Sequence, residues 1–194
     1  MLLVFTENQA GADNITGVTY NGNAMTQFGS GIAVVGSIVL RGWYIFDASM
    51  PASGVAADIV VSRSTSSDTW NVMASYTGVK QSGFPDASSF FNDSTSPYTG
   101  TLTTIADNCW TVLMGNTSSS GTQTASTGST FRRNNTSVLF QLYDSNGAIT
   151  PAGSTSMSYI SGVNEASGNI MVSFAPPSTP SPIKNIPTLL LMGV

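Results

Sequence analysis

The sequence predicts an all-β fold, an antiparallel β-sandwich, on three observations. Apolar and polar residues alternate with a period of two in one segment after another. Clusters of Asn, Asp, Gly and Ser separate those segments, and no stretch sustains the period of an amphipathic helix. The clearest case is residues 58–79, DIVVSRSTSSDTWNVMASYTGV. There Trp70, Val72, Ala74 and Tyr76 share one side of the alternation, while Asn71, Met73, Ser75 and Thr77 share the other. Residues 59–63 are β-branched and run into small polar residues at 64–69, so two strands joined as a hairpin are expected.

The other elements follow in order. Residues 2–6 read as a first strand and 7–14 as a polar loop. Asn21-Gly22 between β-prone residues predicts a hairpin, because a type I′ turn needs positive φ at both central positions. Residues 32–46 are apolar on both parities around Arg41, which fits a strand covered on both faces or one whose second face meets another subunit. Residues 80–98 form a long connection carrying Phe84, Phe90, Phe91 and Tyr98, expected as a lid over the core, with a contact patch as the alternative. Strands are expected at 99–105 and 109–115. Residues 116–130, almost wholly Ser, Thr, Gly, Gln and Ala, should be a surface excursion. Strands at 138–143, 154–160 and 170–174 complete a single domain over residues 1–176.

Residues 177–194 change character. The segment PPSTPSP reads as a semi-rigid spacer, and IKNIPTLLLMGV after it is apolar yet much too short to span a bilayer. Its apolar residues, Ile183, Ile186, Leu189, Leu190, Leu191 and Met192, suit an arm that adds a strand to a sheet edge, either on its own domain or on another subunit.

Composition narrows the function. Only 8% of residues are charged and the net charge is −4, with no basic run longer than Arg132-Arg133, so neither a nucleic-acid groove nor a polybasic membrane patch is expected. Hydroxyls and amides must wet the exterior instead. The chain has no histidine, which removes imidazole-based triads and histidine-bearing zinc sites. Its one cysteine, Cys109, lies in an apolar run beside Trp110 and reads as a buried structural thiol. Glycoside hydrolysis needs two carboxylates flanking a bond, whereas the only glutamates, Glu7 and Glu165, both fall in expected loops. No catalytic residue, metal ligand or cofactor is therefore assigned. Asp13, Asp86, Asp93, Asp107 and Asp144 read as turn caps, with Asp86, Asn92 and Asp93 the best oxygen cluster for calcium. Trp43, Trp70 and Trp110 fall in apolar strands and are expected to pack in the core. Phe84, Phe90, Phe91 and Tyr98 are the candidates for a ligand or surface contact. The apolar run MLLVF is too short for a secretory segment and no basic residue precedes it, so no export signal is expected.

The segments LLVFTENQ, ITGVTYNGNAMTQ, RGWYIFDASMPASG, ADIVVSRS, NVMASYTGVKQ, TTIADNCWTVLMG and IMVSFAPP, in that order, resemble a group of β-sandwich domains. Such domains occur in large bacterial surface proteins and in phage structural proteins. The resemblance covers residues 2–176, and its best markers are VTYNG with its hairpin and the SYTGV strand end. It implies a jelly-roll-like fold and supplies no catalytic residues or fixed ligand. Members of the group have a strand before the LLV segment, which implies a gap here that residues 183–194 would fill. The expected function is a non-enzymatic structural or adhesive component on a virion exterior, such as a head decoration or a tail or fibre protein. Its partners would be copies of itself and other virion or surface proteins. The alternative is a glycan-binding module of a secreted bacterial surface protein.

Overall fold

A computed structural model describes residues 1–9, 13–33, 38–52, 55–117, 122–135 and 140–177. In chain order its strands begin with β1 (Leu2–Asn8), β2 (Ile15–Tyr20), β3 (Asn23–Ala24), β4 (Thr26–Ala33) and β5 (Val39–Ile45). Next come β6 (Ile59–Arg63), β7 (Thr69–Ser75), β8 (Ala87–Asp93), β9 (Tyr98–Thr103) and β10 (Trp110–Thr117). The last five are β11 (Gln123–Ala125), β12 (Thr130–Asn135), β13 (Phe140–Asp144), β14 (Ser154–Ser161) and β15 (Ser167–Phe174). The strands pair antiparallel, and a short 3-10 turn at Asp47–Ser49 is the only helical element among the described residues. The all-β sandwich expected from the alternation is what the chain forms.

Two large sheets, β4-β5-β1-β7 and β12-β13-β10-β15-β8, face each other. Leu3, Phe5, Phe28, Leu40 and Val72 from one meet Val112, Met114, Phe140, Leu142, Ile170 and Val172 from the other in a central core. A small sheet covers each outer face. Sheet β3-β2-β6 sets Ile15 and Val18 against Leu2, Val4, Trp43 and Ile45. Sheet β11-β14-β9 sets Tyr98, Leu102, Met157 and Tyr159 against Leu113, Tyr143 and Met171. Antiparallel sheets commonly leave one face to water, but these four layers bury both faces of the central strands. That explains the unbroken apolar run around β5. Leu40 and Tyr44 turn to the central core while Trp43 and Ile45 turn to the outer one.

The predicted Asn-Gly hairpin forms, with φ of 50° at Asn21 and 78° at Gly22 and with Tyr20 opposite Asn23. Other expectations need correction. Residues 58–79 do supply two strands, but these are not hairpin partners: β6 pairs with β2, and β7 pairs with β1. Ile59 and Val61 are drawn to the outer core and Trp70, Val72 and Ala74 to the central one, so the polar link crosses between layers. Asn14 pins that link, its Nδ2 donating to Thr65 O, Thr65 Oγ1 and Ser67 Oγ at 2.9 Å each. Residues 87–93, expected as irregular, form β8. Within the expected excursion at 116–130, Gln123–Ala125 pairs with β14, because backbone pairing does not require apolar side chains. β12 begins at Thr130 and was not foreseen, having no apolar alternation.

The sandwich is internally duplicated. The order β4-β5-β1-β7 is repeated as β12-β13-β10-β15, and β2 pairs β6 as β11 pairs β14. Registers match as well: Phe5 lies opposite Val72 and Gly42 in one half, and Met114 lies opposite Ile170 and Leu142 in the other. A bulge interrupts both β4 and β12 near the same point. Three strands have no counterpart among the described residues: the two-residue β3 beside β2, and β8 and β9. β8 pairs the outer edge of β15 and β9 pairs the outer edge of β14, while nothing among the described residues pairs the corresponding edges of β7 and β6.

Candidate functional site

The four aromatic residues of the 80–98 connection do not form an exposed platform. Tyr98 begins β9 and is 0% exposed, its ring 5.0 Å from Tyr159 and its hydroxyl donating to Glu165 O at 2.9 Å. Phe84 lies 4.6 Å from the ring of Tyr44 and 5.3 Å from that of Phe28, closing one side of the central core. Phe90 packs on that same core, whereas Phe91, the next residue along β8, packs on the outer one beneath β9. Phe84 thus covers the core as a lid residue, and the contact-patch alternative loses Tyr98 outright.

The carboxylates separate in the same way. Glu7 is not in a loop: β1 runs through Asn8, and the Glu7 side chain is fully buried between the large sheets. Asn116 Nδ2 donates to its Oε2 at 2.7 Å, and burial raises its pKa to about 7. The Glu7 and Asn116 positions correspond in the duplication, so the two side chains meet along its axis. Glu165 lies in the β14–β15 link, where Ser161 Oγ donates to it at 3.1 Å. Asp86 and Asp93 sit at opposite ends of β8 and act as caps. Asp86 accepts from Ile105 N and Ala106 N, and Asp93 from Ser94 N and Thr95 N. Among the described residues no group of three or more Cys, Asp or Glu side chains is placed to hold a metal ion.

Cys109 is buried, and its thiol contacts Asp86 Oδ2 at 3.4 Å and Ala106 O at 3.1 Å. Burial, reinforced by the Asp86 carboxylate, pushes the thiol pKa up to about 12. We expect the folded protein to resist thiol reagents at pH 8 and to release a single reactive thiol on unfolding in urea. Labelling in native buffer at the rate of a free thiol would contradict this.

One feature was not anticipated. A cleft of about 420 Å³ opens at the end of the sandwich where β7 and β15 finish and β10 begins. Tyr76, Trp110 and Phe174 line it with Ser75, Asn108 and Pro176, and the Tyr76 and Phe174 rings lie 4.8 Å apart. Tyr76, just past β7, and Phe174, the last residue of β15, occupy matching positions in the two halves, so the SYTGV and SFAPP endings were the available signal. Trp43 is buried as expected, its Nε1 donating to Thr6 Oγ1 at 3.2 Å, and Trp70 is half-buried against the central core. Trp110 has the cleft on one side.

Ile183, Ile186, Leu189, Leu190, Leu191 and Met192, expected as a subunit-contacting arm, lie outside the described residues. Before them, the chain is held to the body as far as Ala175, whose carbonyl accepts from Lys80 N at 3.0 Å. Among the described residues no helix is long and apolar enough to cross a membrane. The fold and its cleft stand without a named relative, since no family model, no curated protein and no solved structure matches the chain.

Proposed function

We propose that this chain is a non-enzymatic structural or adhesive protein on the outside of an assembly, in the manner of phage head-decoration and tail or fibre proteins, and that copies associate through the C-terminal arm. The observation that carries this reading is where the chain leaves the body. Pro176 lines the cleft at the end of β7, and beyond it the sequence runs through a Pro-rich spacer into the apolar IKNIPTLLLMGV. Apolar side chains of that density seek a partner surface. A body with few charges and a hydroxyl-rich composition, together with the resemblance to phage and bacterial surface domains, supports an external structural role. The sandwich would be the rigid part and the arm the connector.

The test is the solution mass, by light scattering, of the intact chain and of a version ending at Pro176. The intact chain is expected as a discrete oligomer and the shortened one as a folded monomer. Substituting Leu189, Leu190 and Leu191 together by Ser should reproduce the monomer without changing the unfolding midpoint. An unchanged mass in both variants would sink assembly through the arm.

A second reading, a glycan-binding module, is favoured by one observation. Tyr76, Trp110 and Phe174 beside Asn108 offer ring faces and amide groups of the kind that hold sugars. It predicts a monomeric intact chain and glycan binding that is lost on Trp110→Ala.

A further inference from the structure

The two halves of the sandwich differ at the outer edge of β7, and the difference is measurable in burial. β15 is buried along its whole length, flanked by β10 and β8. Among the described residues its counterpart β7 is flanked by β1 alone, and only Val72 in it is fully buried. Met73 is 43% exposed, whereas Met171 at the matching position of β15 is 0% exposed. Asn71 Oδ1 is buried without a hydrogen-bond partner among the described residues.

The β7 edge also lacks the devices that keep free edges from pairing. Its seven residues, TWNVMAS, contain no charge and no Pro, and its register with β1 runs without a bulge from Leu2–Ser75 to Asn8–Thr69. The other edges of the two large sheets are guarded. Bulges break β4 and β12, β12 adds Arg132 and Arg133, and β9 folds back alongside β8. Alternate N–H and C=O groups of β7 therefore face outward on a straight template.

We propose that the outer edge of β7 accepts residues 183–194 of a second copy, added as a strand antiparallel to β7 in the position that β8 holds beside β15. This rests on the arm-mediated assembly proposed above and names its acceptor. Three observations choose the occupant. β8 fills the equivalent edge by setting consecutive apolar residues, Phe90 and Phe91, on opposite faces of the sheet. In the arm, Leu189 and Leu191 fall on one face and Leu190 and Met192 on the other, which would cover the central core and Met73 in turn. The chain also leaves the body at the C-terminal end of β7, where an antiparallel strand would begin. Residues 178–182 contain two prolines in five, a composition that favours an extended spacer and would reach about 15 Å, enough to bring the apolar segment to the edge of a neighbouring copy.

The experiment mixes two differently tagged full-length chains, one carrying Met73→Cys and the other Leu190→Cys, with Met192→Cys as an alternative register. Cys109 is too deeply buried to interfere. Under mild oxidation the expected result is a disulfide-linked heterodimer that fails to form when the second chain ends at Pro176. A chain carrying both cysteines that closes on itself, with no heterodimer, would overturn docking between copies. If truncation at Pro176 abolishes the oligomer but no cross-link forms in either register, the β7 acceptor is wrong while arm-mediated assembly stands. If truncation leaves the oligomer intact, both fail.

Discussion

Glu7→Gln is expected to stabilise the protein at pH 8, by up to about 3 kcal/mol, and to flatten its stability between pH 5 and 8. Glu7 is fully buried between the large sheets, and burial raises its pKa from an ordinary carboxylate value to about 7. The folded state therefore holds the proton more tightly than the unfolded state. Between the ordinary carboxylate range and about pH 7 the native chain binds more protons, so stability falls as pH rises through that window and stays lower above it. The Gln9 side chain, donating to the carboxylate, works against the shift, and the Asn116 Nδ2 bond at 2.7 Å also favours the charged form, which makes about 3 kcal/mol an upper figure. Protonation offers a compensating bond. Asn116 Oδ1 is buried without a partner among the described residues, and a protonated Glu7 can donate to it once the amide turns over. Urea unfolding of both proteins from pH 5 to pH 8 checks this. A wild type that gains stability towards pH 8, or a Gln variant weaker than it there, would contradict the assignment.

The position of Glu7 also shows what was hidden in the sequence. LLVFTEN reads as a strand up to the threonine, and a glutamate followed by Asn and Gln reads as its polar end. Only the second half of the duplication explains why β1 continues: Asn116 stands at the matching point of β10 to meet Glu7. Alternation revealed strands wherever one face was apolar, as at Trp70, Val72 and Ala74, and it revealed the Asn21-Gly22 turn. It could not reveal partners. β6 and β7 are neighbours in sequence and members of different layers, because layer choice depends on which apolar face each strand must cover. The duplication was equally hidden, since the halves share strand order, register and bulges but few residues. β4 reads TQFGSGIA, whereas its counterpart β12 reads TFRRNN. The aromatic cleft was missed for a related reason: Tyr76 and Trp110 looked like ordinary core positions, and only the end-on arrangement of β7, β10 and β15 brings them together.

Phe28→Ala is expected to cost about 3–5 kcal/mol, the range for deleting a buried aromatic from a packed core. Phe28 is 3% exposed and touches four separate elements. Its ring lies so close over Gly42 of β5 that a Cβ added there would come within 2.1 Å of it. It meets Phe5 of β1 edge-on at 6.0 Å, Phe84 of the long connection edge-on at 5.3 Å, and Phe90 of β8 at 6.4 Å. The glycine and the phenylalanine are thus one device, the missing side chain at 42 making the space the ring fills. Losing the ring would remove contacts from β1, β5, β8 and the connection together, and backbone relaxation cannot refill a space bounded by two sheets. Phe84→Ala should cost less, about 1–3 kcal/mol, because Phe84 is only half-buried. Unfolding midpoints of the two variants test the order. The pair also tests what the 80–98 connection is for. If Phe84 served a ligand, its removal would abolish binding and leave stability unchanged. A lid residue gives the reverse, lost stability with the Trp110 cleft untouched.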